Sequence, residues 1–289
     1  LTDTSINRRM SKRLLAVTAM VTPGNRVADI GTDHAYVPVY LVENGIAPCA
    51  IAMDVRKGPL ARAEQSVREA GLLEHIQLRL SDGMEKLMPG EADTAVIAGM
   101  GGMLVCHILT GFPETTASLQ ELVLEPQSET YKVRYLITAS LGFVITDEQM
   151  VCEDGKYYPV IRAEKREEVS GNQDKAASGN QGNAVSGNQR ETVSGNHEES
   201  VSGNQEEVGM RKTGAEGVHP LSEIELRFGP VLLEKKDPVL YEYLGRRIRV
   251  NEAVAERLES AGSEHALQRL QEVKEELRLL KAAYDSYEM

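Results

Sequence analysis

Five short apolar runs divide the first half of the sequence, and stretches with apolar residues at helical spacing separate them. The runs are Arg26–Ile30, Cys49–Met53, Ile76–Leu80, Thr94–Ala98 and Glu121–Leu124. The helical stretches are Val37–Asn44, Pro59–Ala70, Gly102–Thr110 and Thr130–Leu141. Gly45, Gly71, Gly111 and Gly142 follow them, where a left-handed residue closes a helix. Strands alternating with helices in this way predict an α/β fold, a parallel sheet with crossover connections. The pattern then changes: Phe143–Val151 and Tyr157–Ala163 read as two strands joined by a turn at Asp154-Gly155. The parallel sheet is therefore expected to end in an antiparallel hairpin.

From Val169 to Val208 an eight-residue unit, VSGNQ and its variants plus three residues, repeats five times. One or two small apolar residues per unit bury too little to offset backbone ordering, about 1–2 kcal/mol per residue. Residues 166–218 are thus expected to be a disordered linker between a domain over residues 1–165 and a C-terminal unit over residues 219–289. In that unit Glu223–Phe228 reads as a strand or extended segment, broken by Gly229-Pro230. Pro238–Ser260 places Leu240, Leu244, Ile248 and Ala255 on one helical face. Glu264–Tyr287 does the same with Leu267, Leu270, Val273, Leu277, Leu280 and Tyr284. With Ala261-Gly262-Ser263 as the turn, the two predict an antiparallel, coiled-coil-like helical hairpin. Packing or dimerisation and substrate binding are both open as its role.

The three cysteines, Cys49, Cys106 and Cys152, form no CxxC or Cys/His cluster. That disfavours a disulfide scaffold, a zinc ribbon or an iron–sulfur centre, predicts no metal, and fits a reducing compartment. No apolar run nears the roughly 18–20 residues that span a bilayer, and the sequence begins polar and then basic. No membrane association and a cytoplasmic location are expected. A net charge of −12 argues against indiscriminate nucleic-acid coating, but local patches survive that average. Arg8, Arg9, Lys12 and Arg13 make the N-terminal segment net positive, and Arg246, Arg247 and Arg249 cluster near the C-terminus.

The chemistry gathers where the strands end, because ligands of doubly wound sheets lie beyond the carboxyl ends of the strands. The first run ends in Asp29-Ile30-Gly31-Thr32-Asp33-His34. A glycine there admits a ligand to the backbone, and an acid can accept from an ammonium or hydroxyl. GxGxxG is absent, and Asp33 stands where its second glycine would be. That carboxylate would repel a pyrophosphate, which disfavours a nicotinamide-dependent oxidoreductase, but it suits the sulfonium and ammonium of an S-adenosyl ligand. Asp54, followed by Val55, ends the second run and can take both hydroxyls of a ribose. Ser81-Asp82-Gly83 ends the third, placed to accept from an adenine amine. Helix capping competes as the role of Asp29, Asp33 and Asp82.

Gly99-Met100-Gly101-Gly102 ends the fourth run and leaves a bare-backbone slot. The Asn/Asp-Pro-Pro-aromatic motif that serves exocyclic amines is missing there. A ring nitrogen with its own lone pair would not need it. Glu125-Pro126-Gln127 ends the fifth run. Lys57 stands near the cleft as either a solvated lysine or a phosphate contact. His34 reads as a base, a base-edge contact or a structural histidine. No Ser/His/Asp order, P-loop or metal-ligand cluster appears, so hydrolase, NTPase and metalloenzyme readings are unsupported.

Together these residues resemble the bacterial tRNA (adenine-N1)-methyltransferase family that modifies the adenine at tRNA position 22. The matching stretches are SKRL at Ser11–Leu14, VADIGTDHAYVPVYLV at Val27–Val42, KGP at Lys57–Pro59 and SDG at Ser81–Gly83. They continue as IAGMGG at Ile97–Gly102, LEPQ at Leu124–Gln127, DGKYYPV at Asp154–Val160 and LRFGPVLLEKKDPVLYEYL at Leu226–Leu244. Coverage is residues 8–165 and 221–286. The chain departs from the pattern in the octads, in Asp54 where many members carry Glu, and in LEPQ where LQPN is commoner.

The resemblance implies a class I methyltransferase Rossmann-like sheet with an added C-terminal helical hairpin that helps hold tRNA. It implies S-adenosyl-L-methionine as cofactor, tRNA as partner, no metal, and no obligate protein partner. The target adenine would be extruded into the Gly99–Gly102 slot. Cofactor contacts would come from Asp29, Gly31, Thr32, Asp54, Val55, Ser81, Asp82, Gly83, Gly99, Met100, Gly101 and Gly102. Asp33, assisted by His34, would face the cationic product. Phosphates would meet Arg8, Arg9, Lys12, Arg13, Lys57, Arg246 and Arg249. Another RNA base, a small molecule, or a non-catalytic tRNA-binding role are the alternatives.

Overall fold

The computed structural model describes residues 10–166, 220–261 and 263–288. Each of the five apolar runs is a strand: β1 (Val27–Ile30), β2 (Ala50–Asp54), β3 (Ile76–Leu80), β4 (Thr94–Met100) and β5 (Glu121–Pro126). The hairpin follows as β6 (Phe143–Glu153) and β7 (Lys156–Lys165). The strand order is β3-β2-β1-β4-β5-β7-β6. The first five are parallel, while β7 runs antiparallel to β5 and β6 antiparallel to β7. Strands β1, β2 and β5 are buried along their whole length because helices cover both faces, which is why they read as continuous apolar runs. Between β6 and β7 the left-handed pair Asp154 (φ 50) and Gly155 (φ 72) makes the tight turn whose twist matches the hairpin.

On one face Ile30, Met53, Ile97 and Leu124 pack with Val105 and Leu109 of α4 (Gly102–Gly111) and Val133 of α6 (Thr130–Tyr135). On the other, Val27, Ala52, Val96 and Val123 pack with Val17 of α1 (Lys12–Ala19), Leu41 of α2 (Tyr36–Glu43) and Val67 of α3 (Lys57–Glu69). Gly45, Gly71 and Gly142 take the left-handed conformation expected of helix-closing residues. Gly111 differs: it stays inside α4, which Phe112 caps before Pro113 starts the short α5 (Pro113–Ser118). The stretch expected as one helix from Thr130 to Leu141 is α6 followed by a π-helical turn, Leu136–Ser140.

Glu223–Phe228 is a helix, α7, and not a strand. The Ser222 hydroxyl accepts from the Glu225 N–H at 3.3 Å and the Glu225 carboxylate accepts from the Ser222 N–H at 2.7 Å, a capping box that fixes its start. Gly229 breaks it and α8 (Pro230–Glu234) follows, then the hairpin of α9 (Pro238–Ala261) and α10 (Glu264–Asp285). Leu240 and Leu244 meet Leu279, Leu280 and Ala283, and farther along Ala255 meets Leu270, Val273 and Leu277. Leu267, expected on the buried face, is 54% exposed near the hairpin tip.

A buried ion pair joins this arm to the sheet. Arg134 of α6 and Glu148 of β6, 1% and 0% exposed, pair at 2.8 Å. Arg134 also donates to the carbonyls of Leu226 and Arg227 at 2.9 and 3.0 Å, while Glu148 accepts from the N–H groups of Val231 and Leu232 at 3.1 and 3.4 Å. One pair thereby satisfies the carboxyl end of α7 and the amino end of α8. A Cβ on Gly229 would lie 2.5 Å from a Glu148 oxygen, so the turn between those helices is closed to any other residue. The octad linker expected over residues 166–218 falls, apart from Arg166, outside the described residues.

Candidate active site

A cleft of about 620 Å³ opens at the carboxyl ends of the strands, where the strand order reverses between β1 and β4. Asp29, Gly31, Thr32, Asp33 and His34 reach it from β1, Asp54 and Val55 from β2, Ser81–Gly83 from β3, and Gly99 and Met100 from β4. The remaining pair expected there, Gly101 and Gly102, is not on its wall. Gly101 caps α4, and a Cβ on Gly102 would lie 2.3 Å from the Ser128 carbonyl oxygen, so that glycine serves a backbone approach.

The turn after β1 is tied to β2 because the Gly31 and Thr32 N–H groups both donate to the Met53 carbonyl, at 2.8 and 2.7 Å. Gly31 is left-handed at φ +82, and Met100 Cε lies 2.1 Å from where its Cβ would be. Asp29 is 7% exposed, and no cation pairs with it among the described residues. Burial pushes its carboxyl up to about 6; the nearby Thr32 hydroxyl opposes the rise, and the Asp54 charge adds to it. That Thr32 hydroxyl is itself buried with no hydrogen bond of ordinary geometry. Asp54 is buried and accepts from the Arg56 N–H at 2.7 Å.

Other expected residues are already engaged. Ser81 accepts from the Lys86 N–H and donates to the Gly83 carbonyl, both at 3.1 Å, so it organises its own loop beside the exposed Asp82. Asp33, 54% exposed, accepts twice from Arg62 of α3, at 2.8 and 3.2 Å. His34 and Ala35 are consecutive left-handed non-glycine residues, and the His34 ring stacks on Tyr36 at 5.1 Å. Such backbone typically costs about 1–3 kcal/mol per residue and collects where a site must be shaped.

The cations divide. Arg13 lines the cleft and pairs with the fully buried Glu125 at 2.5 Å, its guanidinium 5.4 Å from the Tyr158 ring centre, so it is not the free surface cation expected from its sequence cluster. Lys12, Lys57 and Arg249 are exposed, and Lys57 lies outside the cleft lining. Arg246 is also exposed, but donates to the Gly155 carbonyl at 3.2 Å and lies 5.9 Å from the Tyr157 ring centre. Arg247 is taken by Glu276 at 2.5 Å. Arg8 and Arg9 lie outside the described residues. Tyr36, Arg56, Leu104 and Ile108 were missed as cleft residues, and nothing local in the sequence marks them. Gln127, also a cleft residue, was marked by its place at the end of the fifth run and by the LEPQ stretch, without a role. Among the described residues no group of three His, Cys, Asp or Glu could hold a metal ion, and no helix is long and apolar enough to cross a membrane.

A family model described as Methyltransferase domain matches residues 10–161. The chain is 39% identical over 168 residues to the tRNA (adenine(22)-N(1))-methyltransferase of Bacillus subtilis, covering 58% of this chain and 68% of that protein. The crystal structure of the Bacillus subtilis M1A22 tRNA methyltransferase TrmK superposes with a TM-score of 0.69 at 29% identity, covering 95% of this chain and 98% of that one. Sp1610 of Streptococcus pneumoniae, crystallised in complex with S-adenosyl-L-methionine, gives a TM-score of 0.68 at 27% identity, over 95% of this chain and 99% of that one. The fold is the class I methyltransferase Rossmann-like sheet with a C-terminal helical hairpin. With family model, relative and fold in agreement, this chain belongs to the tRNA (adenine(22)-N(1))-methyltransferase family.

Proposed function

We propose that this chain transfers the methyl group of S-adenosylmethionine to N1 of adenine 22 in a transfer RNA. One observation carries the reading: the buried Asp29, with no counter-charge among the described residues, stands with Asp54 at adjacent strand ends in the cleft, beside the buried Thr32 hydroxyl. A buried acid left without a counter-charge fits a ligand that supplies one. The donor set suits S-adenosylmethionine, with Asp29 for a cationic group, Asp54 for the ribose hydroxyls and Asp82 for the adenine amine. When bound, that cofactor supplies a methyl group activated by a sulfonium.

The residues of this chain supply position. Adenine N1 carries its own lone pair, so no side chain must remove a proton before attack, and alignment of the acceptor does most of the work. Met100, Leu104 and Ile108 give the cleft an apolar wall against which an extruded base can lie. The product base is cationic, and the carboxylates of the cleft favour that charge. Arg62 shares the charge of Asp33, so Asp33 and His34 act from the rim of the cleft, and Asp29 is the acid with charge to spare.

Residues 1–165 form the catalytic domain in this reading, and residues 219–289 an arm that holds tRNA. Lys12, Arg246 and Arg249 meet phosphates, in a protein of the cytoplasm. The test is nucleoside mass spectrometry of a tRNA bearing adenine 22 after incubation with the protein and S-adenosylmethionine. 1-Methyladenosine at that position is the expected product, and its absence overturns the reading.

A further inference from the structure

We propose that Arg13 and Glu125 form a positioning pair that pins a bulge in β4 and thereby sets where the acceptor wall of the cleft lies. The proposal deepens the reading given above. It reassigns Arg13 from phosphate contact to the architecture of the site.

The pairing of β4 with β5 shifts register between Ala98 and Met100, so Gly99 is the extra residue of a bulge. Gly99 is left-handed at φ +80, a conformation that the strand pairing does not hold by itself. Two contacts, one from β5 and one from the residue after it, hold Gly99 and Met100. The Gly99 N–H donates to Glu125 Oε2 at 2.8 Å, and the Gln127 N–H donates to the Met100 carbonyl at 2.8 Å. The same Glu125 oxygen accepts from Arg13 Nη1 at 2.5 Å. Arg13 Nη1 also lies 3.7 Å from the position a Cβ on Gly99 would take, so the guanidinium packs along the bulge as well as pairing beneath it.

Glu125 is 0% exposed and Arg13 21%, and the other Glu125 oxygen, Oε1, is buried without a partner. Arg13 is therefore the cation on which this acid depends among the described residues. Burial raises the Glu125 carboxyl above its ordinary range, with Arg13 and the Gly99 amide opposing. The result of the bulge is seen one residue on, where the thioether methyl of Met100 lies against Gly31 across the floor of the cleft. Bulges re-aim side chains beside active sites, and here the side chain re-aimed is Met100. A guanidinium committed to a buried carboxylate forms a neutral unit, so Arg13 has no net charge to give to RNA.

The test compares the full-length protein with Arg13→Lys, Arg13→Ala, Glu125→Gln and, outside the pair, Lys12→Ala. Amide hydrogen exchange over Ala98–Gly101 is expected to accelerate in Arg13→Ala and Glu125→Gln and to stay unchanged in Lys12→Ala. In methyl transfer, Arg13→Ala should lose about tenfold to a hundredfold in kcat, the scale of a small misplacement of reacting groups. Its tRNA affinity and the salt dependence of that affinity should stay as in the wild type, and Arg13→Lys should recover part of kcat. Unchanged exchange in Arg13→Ala, or weaker tRNA binding with a flatter salt dependence at normal kcat, overturns the proposal. If the wild type methylates no tRNA, the function reading fails, and the exchange measurement still decides the pin.

Discussion

Glu148 and Asp29 are both carboxylates with almost no exposed surface, and the fold treats them in opposite ways. Glu148, at the junction between sheet and arm, has the Arg134 guanidinium and two backbone N–H groups around it, and Arg134 Nη1 in turn donates to two carbonyls. Asp29, at the end of β1, has no cation among the described residues and a second acid, Asp54, across the cleft wall. A buried ion pair hydrogen-bonded on both sides fixes geometry, and it adds little net stability over an apolar equivalent. An acid without its partner costs stability in the free protein and gains from a ligand. At the junction the chain completes its own electrostatics, and at Asp29 it leaves them to be completed although Arg62 and Arg13 pair with other acids around the cleft.

Breaking the junction should have the largest effect. Glu148→Ala strands the Arg134 guanidinium in the interior, and removing one partner of a buried pair typically costs about 3–5 kcal/mol. Urea unfolding should show that loss. A loss well below 1 kcal/mol would mean that water already reaches the pair, and the contrast with Asp29 would collapse.

In the cleft the effect should fall on binding and leave folding nearly untouched. Asp54→Ala removes one charge-assisted acceptor, worth about 1.5–3 kcal/mol. Calorimetry should find S-adenosylmethionine bound correspondingly more weakly, with unfolding stability little changed. Unchanged affinity would sink the ribose assignment.

Asp29 sharpens the comparison through pH. Its folded carboxyl titrates near 6 against an ordinary 3.8, so the proton is held more tightly in the folded state. The stability it contributes is complete below 3.8 and is lost as pH rises through about 6. Asp29→Asn should therefore be more stable than the wild type at pH 7. A cationic ligand favours the ionised acid, so wild-type cofactor affinity should fall about tenfold per pH unit below 6, and Asp29→Asn should flatten that dependence. A parallel decline in the variant would assign the pH effect to another group.

The same contrast explains what could be read in the sequence. The strand ends of the cleft were legible because each acid or glycine closes or directly follows an apolar run, and the topology brings those ends together without further information. The junction was not legible. Arg134 and the carbonyls it binds at Leu226 and Arg227 are about ninety residues apart, as Arg13 and Glu125 are 112 apart. No local pattern marks such a pair. Glu223–Phe228 failed for a different reason: six residues of alternating polarity fit a strand as well as a helical turn. The deciding signal was Ser222 with Glu225, a capping box just at its start. Leu267 lies one position off the buried face, which runs Ala266, Leu270, Val273, Leu277 and Leu280 in steps of four and three, so Ala266 is covered and Leu267 is left exposed.

The smallest expected effect concerns the octads, which separate in sequence the two parts that the junction joins in space. Deleting Val169–Val208 removes forty residues with one or two small apolar side chains per unit. Both flanks are anchored without them. The Arg166 N–H donates to the Gly142 carbonyl at 3.0 Å, and Leu221 packs against the core under β4 and β5. If Arg134 and Glu148 hold the arm in place, the shortened chain closes a loop about one quarter as long. Two halvings of loop length lower the closure entropy by about 1 kcal/mol in all, so stability should rise slightly. Thermal unfolding should stay a single cooperative transition, and S-adenosylmethionine affinity should not move. A lowered or split transition would show that the octads take part in holding the two parts together, and the junction would no longer suffice as the explanation of how the arm is placed.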